Sequence, residues 1–349
     1  MAQKVAVILF NLGGPDKPEA IQPFLFNLFN DPAIIGAPGP IRWLLAQYIS
    51  AKRAPTAKQI YAQIGGKSPL YDLTRQQAAS LQSALNQNGA GRDYRCFIAM
   101  RYWHPFTGQA MAEARAWGAT QVVLLPLYPQ YSSATSGSSI KEWNAVAART
   151  GFKVPTATVC CYPTEPGFIA TQAELLARSL ERAATVTNNI RVLFSAHGLP
   201  KSVIDKGDPY QSQVEAGAAA IVAALNRPGL DWKVTYQSRV GPTEWIGPYT
   251  DDEIKKAGAE KKGLVILPIA FVSDHSETLV ELDREYFHLA KQAGAAAYVR
   301  VPVPGSHPSF IKGLAGLVTK ALGNKSQPCS QKGGRLCAAS HGLCPNKGA

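Results

Sequence analysis

Short, nearly unbroken apolar runs recur along the chain, separated by longer stretches in which apolar residues fall three and four apart. The first pattern predicts strands buried on both faces and the second amphipathic helices. Their alternation is that of parallel α/β sheets. Strands are predicted over residues 5–10, 94–100, 121–125 and 153–161 in the first half and over 190–194, 233–237, 264–267 and 297–301 in the second. Four in each half predict two similar doubly wound lobes, 1–155 and 156–308, with a cleft between them. A last helix over 309–322 is expected to pack back on the first lobe, leaving a cysteine-containing tail over 323–349.

Two of the predicted strand ends carry ionisable side chains. The run 192–194 leads to His197, and Gly198 and Pro200 then break regularity. His197 therefore falls at the carboxyl edge of a strand, where open α/β sheets bind ligands, and an imidazole there can act as acid, base or metal ligand. A histidine that merely caps the turn fits the same segment. The run 264–267 ends similarly, and a helix begins near Asp274. On it Glu277, Glu281 and Glu285 recur every four residues and share a face, which a local π-turn would also align. A solvated stripe would normally interleave lysines, whereas only Arg284 intervenes here. The segment Asn11 to Pro15 lacks the glycine fingerprint and the Lys-Ser/Thr ending of a phosphate loop.

Length and composition change the picture little: 349 residues with 46% hydrophobic content supply sizeable cores. The formal charge of +12 is spread thinly and accompanies no nucleic-acid motif, so an acidic ligand or anionic membrane surface suits it better. The most apolar segment is 24–55, with Phe24, Leu28, Phe29, Ile34, Ile35, Ile41, Trp43, Leu44, Leu45, Tyr48 and Ile49, closed by Lys52 and Arg53. It reads either as an exposed lip or as a helix packed on the core. No run approaches the roughly 18 apolar residues of a membrane span, and residues 1–4 lead straight into a strand without a signal peptide. A cytoplasmic protein is expected.

Three of the six cysteines, Cys329, Cys337 and Cys344, lie in the tail, and Cys96, Cys160 and Cys161 lie in strands. A reducing compartment disfavours disulfides and favours metal or cluster ligation, with His341 a further ligand if the metal is zinc. Strand alternation allows only one of Cys160 and Cys161 to face the tail.

The motifs SAHGLP (195–200), FVSDHSETLVELD (271–283), RYWHP (101–105), LYPQYSSATSGSS (127–139), QSRVGPTEWIGP (237–248) and NLGGP (11–15) together resemble the ferrochelatases, in order, from about residue 5 to about residue 322. The resemblance implies the chelatase-type fold and a lyase that inserts Fe2+ into protoporphyrin IX, the last step of haem biosynthesis. It implies that His197 removes pyrrole protons and that Glu277 is metal ligand or proton acceptor, with Glu281 and Glu285 as a proton relay. Both His197 and Glu277 are also candidate ligands of the incoming Fe2+. Tyr128, Arg101 and Tyr102 match positions on the macrocycle face opposite His197, Trp245 and Phe271 match wall positions, and Arg53 and Ser68 match positions that meet a propionate. Segment 24–55 matches an apolar lip that touches a bilayer in some members. Many members also hold a 2Fe-2S cluster through three C-terminal cysteines and one from the body. Here the tail spacing is seven then six intervening residues, and Ser133 stands where animal enzymes place the fourth cysteine. Cys161 or Cys160 would take that place beside Cys329, Cys337 and Cys344. Two alternatives stay open: a ferrochelatase acting on coproporphyrin, and a non-catalytic tetrapyrrole or metal carrier.

Overall fold

The structure, a computed structural model, describes residues 3–87 and 91–347. Strands β1 (Gln3–Asn11), β2 (Arg92–Met100), β3 (Gln121–Pro126) and β4 (Thr156–Cys161) alternate with helices α1 (Ile21–Phe29), α2 (Gly39–Ala62), α3 (Leu70–Gln87), α4 (Thr107–Ala116) and α5 (Ser136–Thr150). Then come α6 (Pro166–Ala184), β5 (Ile190–His197), α7 (Lys201–Asp205), α8 (Tyr210–Leu225), β6 (Asp231–Gln237), α9 (Thr250–Ala259) and β7 (Gly263–Pro268). A π-helix (Glu277–Glu285) runs into α10 (Tyr286–Gln292), followed by β8 (Ala297–Arg300), α11 (Pro308–Gly323) and β9 (Cys329–Ser330).

The strands form two sheets, ordered β2-β1-β3-β4-β9 and β6-β5-β7-β8, and every pair within them is parallel. Parallel strands must be joined by crossovers, which the intervening helices supply. All eight strands expected from the apolar runs are present. The central ones are buried along almost their whole length, which is why they lack alternation.

The first compact unit comprises Met1–Cys161, Leu314–Arg335 and Pro345–Ala349; the second comprises Tyr162–Gly313 and Leu336–Cys344. The first continuous stretch runs past the boundary expected at 155, because β4 is hydrogen-bonded to β3 and belongs to that sheet. One core gathers Ile8, Phe10, Val122, Leu124 and Trp143, and another gathers Leu193, Ile266, Leu282 and Tyr286. The two-residue strand β9 lies in the tail, outside any apolar run; it pairs with β4 through Val159 and Cys161. Among the described residues no helix is long and apolar enough to cross a membrane.

Candidate active site

β5 ends at His197, beyond its apolar run, because the ladder to β6 continues through the pairs Ala196–Tyr236 and His197–Gln237. The imidazole is half-exposed, and its Nδ1 lies 2.7 Å from the carbonyl oxygen of Gly198. A carbonyl can only accept, so Nδ1 carries the hydrogen and the neutral ring presents an unprotonated Nε2. That nitrogen lies 3.9 Å from Oε2 of Glu277. Among the described residues this oxygen is buried and accepts no hydrogen bond. The Trp245 ring lies 6.4 Å from the imidazole, centre to centre.

Glu277 opens the π-helix, in which the Tyr286 N–H donates to the Glu281 carbonyl five residues back. Partners outside the helix support this rare winding. Arg300 on β8 binds Asp274 just before the helix at 3.1 Å and Asp283 within it, and the Tyr298 hydroxyl donates to the Leu282 carbonyl at 2.6 Å. The Glu277 N–H donates to Nδ1 of His275 at 3.0 Å, and burial holds the His275 pKa below the usual histidine value. Phe271 packs its ring edge-on against His275 at 4.6 Å.

The three glutamates of the stripe have distinct surroundings. Glu277 is partly exposed and Glu285 exposed, while the Glu281 carboxylate receives hydrogen bonds from Gln237 Nε2 (3.1 Å), the Ser238 hydroxyl (2.6 Å) and the Tyr286 hydroxyl (3.1 Å). Burial, then the charge of Glu277, raises the Glu281 pKa above the ordinary carboxyl value. Ser238 reaches this position in the left-handed region, at φ 65°, a conformation strained for any residue but glycine. Gln237 and Ser238 lie in a motif that carried the resemblance, yet their bearing on Glu281 depends on a cross-element contact that sequence spacing does not display.

In the first unit, Arg101 follows β2 and makes a buried ion pair with Asp31 at 2.8 Å, and its Nε donates to Ser138 at 2.7 Å. The same carboxylate oxygen accepts from the Ser138 hydroxyl at 2.5 Å and the Tyr102 hydroxyl at 2.9 Å. Asp31 therefore organises this cluster, and sequence reasoning missed it because it lies 71 residues from Tyr102 and 107 from Ser138. Tyr102 is almost completely buried with its hydroxyl committed to Asp31. Tyr128 is close enough for the Arg101 charge to oppose the upward shift that burial imposes on its phenol. Ser68 is buried, its hydroxyl accepting from Leu70 N–H, and Arg53 is exposed with its guanidinium 5.9 Å from the Phe29 ring.

The segment 24–55 divides by element. Ile21 and Phe24 of α1 are buried, whereas α2 exposes Ile41, Trp43, Leu44, Leu45 and Tyr48, with Leu44 at 62% and Tyr48 at 64% of full exposure. Within the segment, Phe24 is packed into the core, and the start of α2 carries the exposed apolar side chains.

No disulfide links the cysteines among the described residues. The register of β4 against β9 shifts between Val159 and Cys161, and this brings the Cys160 and Cys161 sulfurs to 3.3 Å. Strict alternation, which would have sent them to opposite faces, is broken by the irregularity. Cys329 lies beside Val159 in the ladder, buried, and burial raises its pKa. Cys337 and Cys344 belong to the second unit, where the amide of Gln213 donates to the Cys337 sulfur at 3.2 Å. Among the described residues no three or more His, Cys, Asp or Glu side chains are gathered closely enough to hold a metal ion.

Comparison with known proteins agrees with this architecture. SirB from Bacillus subtilis, solved with Fe3+, superposes with a TM-score of 0.51 over 91% of this chain and 95% of that one; at 13% identity it shows the fold alone. The ferrochelatase of Caulobacter vibrioides is 54% identical, covering 99% of this chain and 98% of its own length. That of Hyphomonas neptunium is 51% identical over 99% and 95% respectively. The ferrochelatase family profile matches residues 4–322. A chain that follows the family profile from its first strand to its last long helix, and matches such relatives end to end, belongs to the ferrochelatase family.

Proposed function

We infer that the protein is a ferrochelatase, a lyase that inserts Fe2+ into protoporphyrin IX to form protohaem. The observation that carries the reading is the His197–Glu277 pair at a strand edge, a lone-pair nitrogen facing an oxygen without a donor. Two acceptors held face to face repel until a proton or cation comes between them, and metal insertion supplies both.

In this reading Fe2+ is a substrate. A free-base porphyrin must lose two pyrrole protons as the metal enters, so a base has to reach the nitrogens. His197 Nε2 is that base: the Gly198 carbonyl fixes its tautomer, and the ring needs no reorientation to accept. Glu277 takes the proton on or holds the metal before transfer. Glu281, with its pKa raised, holds a proton more readily than an ordinary carboxylate, and the exposed Glu285 delivers it to solvent. Arg101 and Tyr128 contact the macrocycle, Asp31 and Tyr102 hold Arg101 in place, Trp245 and Phe271 supply flat apolar walls, and Arg53 and Ser68 meet a propionate. The exposed apolar face of α2 makes a peripheral membrane contact, with Lys52 and Arg53 suited to anionic headgroups, and the protein works in the cytoplasm.

The tail would carry a 2Fe-2S cluster on Cys329, Cys337, Cys344 and Cys161 or Cys160. Four thiolates are the donor set such a cluster takes, and the Cys160 and Cys161 sulfurs lie 3.3 Å from each other. When bound, such a cluster contributes one-electron redox capacity, and no step of metal insertion is routed through it here.

Anaerobic mixing of the purified protein with Fe2+ and protoporphyrin IX should replace the free-base spectrum and fluorescence by the absorbance of haem. Stoichiometric porphyrin binding with no haem formed would establish the carrier alternative instead.

A further inference from the structure

The turn that leads into α8 is bonded on one side to the C-terminal tail and on the other to the strand end that presents His197. Tyr210, the first residue of α8, is buried, has its N–H capped by Asp208 Oδ1 at 3.0 Å, and donates its hydroxyl to the His197 carbonyl at 3.0 Å. Around it, three positions meet the tail. The Gly207 carbonyl accepts from the Leu343 N–H at 3.1 Å, and the Gln213 amide reaches the Cys337 sulfur at 3.2 Å. The Ser212 hydroxyl lies 3.2 Å from His341 Nε2 and donates to the Pro209 carbonyl at 2.9 Å, so its remaining role toward the imidazole is as acceptor. The fit at Gly207 is close: at φ 90° a Cβ there would lie 2.5 Å from the Gly342 nitrogen.

We propose that residues 337–344 act as a brace for the catalytic histidine, with Tyr210 as the positioning residue through which the brace acts. This rests on the reading of His197 as the base. A strand's terminal residue has lost the neighbours that hold it on one side, and a side chain working on ring nitrogens tolerates little displacement. The Tyr210 hydroxyl fixes the His197 backbone, the tail fixes the turn that carries Tyr210, and turnover becomes sensitive to anything that loosens the tail. Tyr210 does not touch substrate, so its loss should lower kcat rather than weaken porphyrin binding.

The test is a double-mutant cycle in the full-length protein, with His197→Ala measured alongside. Tyr210→Phe should lower kcat about tenfold with the porphyrin KM changed less than about twofold, and His341→Ala should lower kcat about threefold. The double variant should be no slower than Tyr210→Phe alone, because both changes break one line of support. Losses that multiply, or a near-normal kcat in either single variant, would overturn the brace. Ser212→Ala, which cuts the same link from the body side, replaces His341→Ala in the cycle should that variant melt far below the wild type. An active His197→Ala would instead overturn the assignment of the base, whereas an inactive one beside fully active Tyr210→Phe and His341→Ala would overturn the brace alone.

Discussion

Nε2 of His197 and Oε2 of Glu277 stand 3.9 Å apart, too far for a direct hydrogen bond and with room for a bridging cation. The tautomer set by Gly198 puts a lone pair on the histidine side, so the pair is built to receive positive charge. Removal of either partner should therefore affect chemistry more than binding.

His197→Ala should lower turnover about a thousandfold, within the span usual for a general base, while porphyrin affinity measured by fluorescence quenching stays within about threefold. Turnover above about a tenth of wild type would remove His197 from the proton step.

Along the glutamate stripe the losses should be graded. Glu277→Gln should approach the histidine variant, Glu281→Gln should be milder, and Glu285→Gln, at an exposed position, should change kcat by no more than about twofold. Steady-state kinetics at one pH suffices. Equal losses at all three positions would point to a single cooperative metal site.

The depressed pKa of His275 predicts a stability that falls in acid. Below the unfolded value near 6.5 the unfolded chain binds a proton that the folded imidazole refuses, so lowering pH favours unfolding; above it the contribution is fully present. Protonation also removes the acceptor for the Glu277 N–H. Thermal melting from pH 7.5 to pH 5.5, about one unit either side of that value, should show a steeper loss in wild type than in His275→Asn. Parallel curves would assign the acid sensitivity elsewhere.

Protein purified without oxygen should be coloured, carry about two irons and two sulfides per chain, and bleach on reduction. Serine at Cys329, Cys337 or Cys344 should remove the colour, whereas Cys96→Ser should not; burial pushes the Cys96 thiol pKa up to about 12, far from thiolate chemistry. A colourless protein holding one zinc, or none, would defeat the cluster.

The exposed Ile41, Trp43, Leu44 and Leu45 suit the vinyl and methyl edge of protoporphyrin IX, since four coproporphyrin propionates against such a surface would be desolvated without compensation. The expected result is a higher kcat/KM for protoporphyrin IX. Reversal of that order would reassign the substrate.

Much of this was legible in the sequence for one reason: β1, β3, β5 and β7 are buried on both faces, so they read as unbroken apolar runs, and the strand ends that follow can be located. His197 and the Glu277, Glu281, Glu285 series were visible through position and spacing. What stayed hidden depends on tertiary partners. The π-helix is supported by Arg300 and Tyr298 from β8, the Arg101 environment by Asp31 from a distant segment, and the convergence of Cys160 and Cys161 by a register shift against a strand of two residues. None of these leaves a periodic trace.

The pairing of Cys329 with Val159 also bears on how the chain is made. The first sheet gains its edge strand only from residues near the end of the chain, after the long first segment of the second unit, Tyr162–Gly313. At synthesis rates of about 5–20 residues per second, β4 waits on the order of ten seconds or more for its neighbour. During that interval its edge is an open template for strand addition, with two thiols beside it. Nascent chains halted before Cys329 should be the aggregation-prone population, and slower synthesis of the second unit should lengthen their exposure.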